Sequence, residues 1–112
     1  MKIENKIYHA TLKENADSIW MYGIKPGKDG MIYLADSING AASFLMFRGA
    51  ELEDILVLEV DPEALDERKL GYGTDHNPNF FKGVEVYVYV GEIIDPVCID
   101  EAYTLYRLED EQ

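Results

Sequence analysis

Cysteine is almost missing from this 112-residue chain, in which Cys98 stands alone. One thiol excludes an internal disulfide and a cysteine metal site, and it fits a reducing compartment, the cytoplasm. His9 and His76 are the only histidines. They have no H-x-x-x-H spacing, so no metal is expected. Walker loops, a G-x-G-x-x-G opening a helix and a G-x-S-x-G elbow are all absent. Asp61, Glu63, Asp66 and Glu67 lack the spacing and glycine of a calcium loop. No apolar run reaches the ~18 residues a membrane span needs, and the longest, Ile55–Val60, already contains Glu59. The opening MKIENKIYHA is polar where a signal peptide would be apolar. Basic residues are scarce: 10 Lys and Arg stand against 22 Asp and Glu, a net charge of −12. Such a surface repels phosphate backbones, which disfavours DNA and RNA as partners. A protein partner, a small ligand and simple solubility are left.

What is present is a single small domain, 1–112. Apolar residues make up 47% of the chain and aromatic ones 12%, too much for a disordered chain. KIYHA (Lys6–Ala10) predicts a strand. Thr11 and Glu14 form a T-x-x-E capping box for a helix to Tyr22, stopped by Gly23, with Ala16, Ile19, Trp20 and Tyr22 on its buried side. After the turn KPGKDG, MIYLA (Met31–Ala35) is a second strand. Asp36 or Ser37 caps a helix in which Ile38, Ala41, Ala42, Leu45 and Met46 recur at helical spacing. ILVLEV (Ile55–Val60) reads as a buried strand, and Asp61-Pro62 opens one helical turn. The glycine-rich run Gly71–Gly83 reads as a long functional loop. VEVYVYV (Val84–Val90) alternates, with Glu85, Tyr87 and Tyr89 on one face. Val97–Ile99 predicts a further strand, and the Tyr, Thr and Leu of Ala102–Leu108 favour strand as well. Five or six strands with two or three short helices make an α+β fold.

Three polar residues stand where a purely structural chain has no need of them. His9 stands near the end of the first strand. Tyr33 lies inside the second, where a core tyrosine is the ordinary reading. Glu85 sits among valines directly after the long loop, sharing a face with two tyrosines.

YHATLKENADSIWMYGIKPG followed by MIYLADSINGAASF resembles the opening of the ADP-ribosyltransferase superfamily. The similarity is greatest to the branch holding the DNA-targeting ADP-ribosyltransferase toxins and the RNA 2′-phosphotransferases. His9 and Thr11 match its first strand, Ile24 after Gly23 its "GI" element, and Tyr33, Ala41, Ala42 and Phe44 its second strand and helix. GVEVYVYVGEIIDPVCI resembles the strand carrying the superfamily's glutamate, so the likeness spans about residues 6 to 99.

The resemblance implies mixed or antiparallel sheets around a cleft for NAD, which is a substrate broken at the bond between ribose and nicotinamide. Glu85 would hold the ribose 2′-hydroxyl as charge develops on the sugar. Tyr33 would stack on nicotinamide, and His9 with Thr11 would contact the adenosine ribose. Phe44 and Arg48 complete the expected cofactor contacts, Arg48 at the pyrophosphate. His76, Asn77, Phe80 and Phe81 in the loop would meet the acceptor. Glu92 is the alternative glutamate if the strand register shifts. The arginines, Arg48, Arg68 and Arg107, do not match the phosphotransferases' 2′-phosphate site, and the charge directs the expectation to a protein acceptor. In size and charge the chain also resembles small phage-encoded ADP-ribosyltransferase inhibitors acting in a host cytoplasm. Two other readings remain open: a non-catalytic acidic binder that mimics nucleic acid, and an NAD glycohydrolase.

Overall fold

The computed structural model describes residues 2–73 and 84–105. Within them the chain forms β1 (Ile7–Leu12), α1 (Ala16–Tyr22), β2 (Met31–Ala35), α2 (Ile38–Phe47), β3 (Ile55–Val60), β4 (Leu70–Tyr72), β5 (Val86–Val90) and β6 (Ile99–Thr104). The strands make one sheet in the order β4-β5-β2-β1-β3-β6, and every neighbouring pair is antiparallel. This is a small α+β fold. No helix of the described residues is long and apolar enough to cross a membrane.

Alternation decides the layers, because successive strand residues point to opposite faces. On one face Ile7, Ile32, Leu34, Leu58, Val60 and Tyr89 pack with Ile19 of α1 and with Ile24 and Ile94. On the other, Ala35, Ile55 and Val57 pack against Ala41 and Ala42 of α2. α2 starts as expected, with Ser37 Oγ accepting from the Gly40 amide.

Several local expectations are corrected. Thr11 caps no helix: β1 runs through it to Leu12, paired residue by residue with β3. A single 3-10 turn, Lys13–Asn15, then leads into α1, and the Thr11 hydroxyl accepts from the Asn15 side chain, Nδ2, at 3.2 Å. Six pairs of strand register outweigh the one or two hydrogen bonds a capping box supplies. Trp20 and Tyr22 face outward. α1 ends after seven residues; Ile19 and Ala16 pack on the core, and Gly23 caps the helix where a Cβ would meet the Ile94 backbone. Met46 of α2 is likewise exposed.

Val97 is not in a strand. Asp95-Pro96 repeats the chemistry of Asp61-Pro62: the Asp95 carboxylate accepts from the Val97 amide, and the turn Pro96–Cys98 precedes β6. The expected long loop begins as a strand, since Leu70, Gly71 and Tyr72 pair with Tyr89, Val88 and Tyr87. The expected acceptor-facing residues His76, Asn77, Phe80 and Phe81 lie outside the described residues.

Candidate functional site

The two halves of the sheet are joined through a short stretch of ladder between β1 and β2. β1 and β2 share one register pair, Tyr8↔Ala35, whereas β1 and β3 share six. Beyond that pair the strands part, and the gap is bridged by the His9 ring, whose Nδ1 lies 2.9 Å from the Tyr33 carbonyl oxygen. A hollow of about 390 Å³ opens there. Its walls are β1 (His9, Ala10), β2 (Tyr33), α2 (Phe44, Arg48) and the turn from Lys25 to Asp29. A smaller hollow of about 230 Å³ adjoins it, sharing His9 and Lys25 and adding Thr11 and Asn15. Together they suit the elongated ligand volumes of small-molecule sites.

Each side chain has a definite state. A carbonyl only accepts, so His9 Nδ1 carries the proton and donates, which leaves Nε2 as an acceptor. Enclosure of the ring pushes the His9 pKa below its ordinary 6.5, against the smaller opposing effect of the Tyr33 carbonyl. His9 is therefore neutral at pH 7. Below pH 6.5 the unfolded chain takes up a proton that folded His9 resists, so stability falls as pH drops through that window. The wild type is expected to lose stability relative to His9→Gln between pH 7 and 5, with the His9 Cε1–H signal in NMR titrating below 6.5. A midpoint at or above 6.5 contradicts the enclosed neutral ring.

Tyr33 and Phe44 form an aromatic corner, with centroids 6.2 Å apart and planes tilted by 40°. The Tyr33 hydroxyl donates to Asp29 Oδ2 at 2.6 Å, and Asp29 Oδ1 accepts from the Met31 amide at 3.0 Å. The shared proton raises the Tyr33 pKa and lowers that of Asp29. Arg48 ends α2 and lines the hollow, with its charge acting on both groups. Lys25, Lys28 and Arg48 thus meet at one aromatic hollow of a chain with net charge −12. A larger hollow, about 480 Å³, is lined by Glu63, Asp66 and Glu67 without an aromatic ring, and its Arg68 is held by Asp66.

Of the expected residues, His9, Tyr33, Phe44 and Arg48 come together, with Thr11 in the adjoining hollow. Glu85 is not among the residues lining either. Tyr33 lies opposite Val88 and Ala35 opposite Val86, so alternation carried back from Val86 puts Glu85 with Tyr87 on the other face. The position agrees with the influence of Glu85 on the Tyr87 phenol. Glu92 is engaged elsewhere, accepting from the Tyr89 hydroxyl at 3.0 Å and pairing with Lys69 at 3.1 Å. Sequence reasoning missed Lys25, Lys28 and Asp29. Their signal was the turn KPGKDG, whose two lysines beside a strand tyrosine mean more than loop geometry.

No family model matches the chain. A comparison with curated proteins likewise gives no match. The reading of this site rests on its residues.

Proposed function

We propose that the hollow between β1 and β2 binds NAD, and that the chain is an NAD-dependent mono-ADP-ribosyltransferase acting on a protein side chain. The observation that carries the reading is the meeting of an aromatic corner, a neutral histidine and three cations where the sheet parts. A nicotinamide ring stacks on Tyr33 or Phe44. His9 Nε2 accepts from a ribose hydroxyl, and Arg48 with Lys25 and Lys28 meets the pyrophosphate. The likeness of YHATLKEN and MIYLADSINGAASF to the ADP-ribosyltransferase superfamily supports the same ligand.

Transfer breaks the bond between ribose C1′ and the nicotinamide nitrogen. Nicotinamide leaves with the bonding pair, and an acceptor nucleophile takes its place at C1′ as its proton passes to a base. A carboxylate at the 2′-hydroxyl stabilises the positive charge between those events. The resemblance gives that role to Glu85, whereas the carboxylate that lines the hollow is Asp29.

A second reading is favoured by one specific observation, the placement of Glu85 on the opposite face from Tyr33. Without that carboxylate at the ribose, the chain holds NAD and acts as a non-catalytic binder. Incubation of the protein with adenylate-labelled NAD and a cytosolic extract separates them. The transferase transfers label to a protein band and releases nicotinamide. Nicotinamide release without a labelled band identifies water as the acceptor, and binding with no turnover establishes the non-catalytic reading. Absence of NAD binding removes both.

A further inference from the structure

The face that carries Glu85 holds a second set of groups, away from the hollow between β1 and β2. Tyr72 of β4 lies directly opposite Tyr87 of β5. Their rings are stacked, with centroids 5.7 Å apart and planes 27° from parallel. Glu85 precedes Tyr87 by two residues on the same face, and the Asp36 amide donates to the Glu85 carbonyl at 3.1 Å. Asp36 therefore sits across from Glu85, as Tyr72 sits across from Tyr87. Two rings and two carboxylates occupy adjacent positions on one patch of sheet. The Tyr87 phenol reports this closeness: burial raises its pKa first, and then Glu85, Asp36 and Tyr72 raise it further.

The patch borders a hollow of about 490 Å³ lined by Asp36, Tyr72 and Tyr87 together with the segment from Lys2 to Ile7. Tyr72 is 67% exposed, which leaves its ring open to an incoming group. Of the two lysines at the rim, Lys6 is committed to Asp100 and Asp61. Lys2 and Glu4 also line this hollow.

The geometry points to a docking site for an arginine side chain of a protein partner, with the guanidinium lying on the Tyr72–Tyr87 stack and its N–H groups donating to Asp36 and Glu85. Three physical facts select that ligand. A cation is drawn to an aromatic face when it sits within ~6 Å of the ring centroid. A flat guanidinium both stacks on a ring and bonds carboxylates through two parallel N–H groups, which a lysine ammonium cannot do. The net charge of −12 draws basic partners toward the whole surface and repels nucleic acid, so selection falls to the local groups.

The site does not depend on NAD, and its test uses none. The probes are the capped tripeptides Gly-Arg-Gly, Gly-Lys-Gly and Gly-citrulline-Gly, titrated into the full chain and followed by amide NMR shifts. The arginine peptide is expected to shift Tyr72 and Tyr87 and to saturate. The lysine peptide binds several-fold more weakly, and the uncharged citrulline peptide not at all. Tyr72→Ala and Glu85→Gln each weaken the arginine peptide about tenfold, by loss of the ring face or of one charged acceptor. Tyr72→Phe, which keeps the ring, retains binding and guards against a fold defect in the alanine variant. Asp17→Asn, at an exposed carboxylate of α1, leaves binding unchanged. Equal binding of arginine and lysine peptides, wild-type affinity in Tyr72→Ala, or an Asp17→Asn loss as large as that of Glu85→Gln would each overturn the assignment.

Discussion

Gly23→Ala is expected to destabilise the protein by about 3 kcal/mol, the sum of backbone strain and overpacking. Gly23 closes α1 at φ 92 and ψ −178, a conformation open essentially to glycine alone. A Cβ there would also stand 2.3 Å from the Ile94 carbonyl oxygen and 2.9 Å from Ile93 Cγ2. The first neighbour is backbone and cannot rotate away. That carbonyl accepts from the Ile24 amide at 2.9 Å, and the Ile94 amide returns a bond of the same length, so moving it breaks a two-bond bridge between buried isoleucines. Urea unfolding measures the effect as a lower midpoint with an unchanged slope. Gly71→Ala is the matched control, because its Cβ meets nothing within 4 Å and its φ is not left-handed. It is expected to change stability by less than ~0.5 kcal/mol. The damage at Gly23 reaches the candidate site as well, since the segment that leaves this bridge carries Lys25, Lys28 and Asp29 to the hollow.

Strands were legible wherever β-branched and aromatic residues were packed densely enough to fix the alternation. Met31–Ala35 and Ile55–Val60 run over the expected residues, because Ile55–Val60 is buried on both sides and Met31–Ala35 on the face of Ile32 and Leu34, so little competes with pairing. Local signals failed where a long-range partner outweighed them, as at Thr11, whose capping pattern lost to pairing with Leu56. They failed again at Trp20, a large apolar residue that α1 leaves exposed next to buried Ile19. The candidate site divides the same way. His9, Tyr33 and Phe44 are named by local pattern. The gap between β1 and β2 is a property of register between strands separated by a helix, and no local pattern encodes it. Glu85 makes the point most sharply. Its sharing of a face with Tyr87 was readable from VEVYVYV alone. That this face is not the one holding Tyr33 depends on the pairing Tyr33↔Val88, and one residue of slip would have reversed it.

That register makes the paired substitutions Tyr33→Ala and Glu85→Gln the decisive measurement on the proposed function. Tyr33→Ala removes a ring from the aromatic corner and releases Asp29 from its 2.6 Å bond. Stacking on an aromatic ring is worth ~1–3 kcal/mol per base, and the loss corresponds to an NAD affinity about 5- to 150-fold weaker by calorimetry. Freed from Tyr33, the Asp29 carboxylate keeps the Met31 amide and the Arg48 charge but loses its hydroxyl donor, so its negative charge beside the pyrophosphate is less screened and moves the affinity in the same direction. Tyr33→Phe keeps the ring and isolates the hydroxyl's share. Glu85→Gln should leave NAD affinity near the wild-type value, because Glu85 stands at the start of β5 three positions along from the partner of Tyr33, about 10 Å at strand rise. Its effect on turnover then separates the readings. A fall of about 100-fold or more in label transfer, with NAD binding intact and well beyond the tenfold that weaker docking of an arginine partner accounts for, is the size of effect that follows loss of a group stabilising the transition state, and it assigns the Glu85 carboxylate to the ribose. Turnover unchanged by Glu85→Gln would move the chemistry to the cleft's own carboxylate, Asp29, and Asp29→Asn would then carry the loss. Wild-type NAD affinity in Tyr33→Ala would remove the hollow between β1 and β2 from consideration as the NAD site.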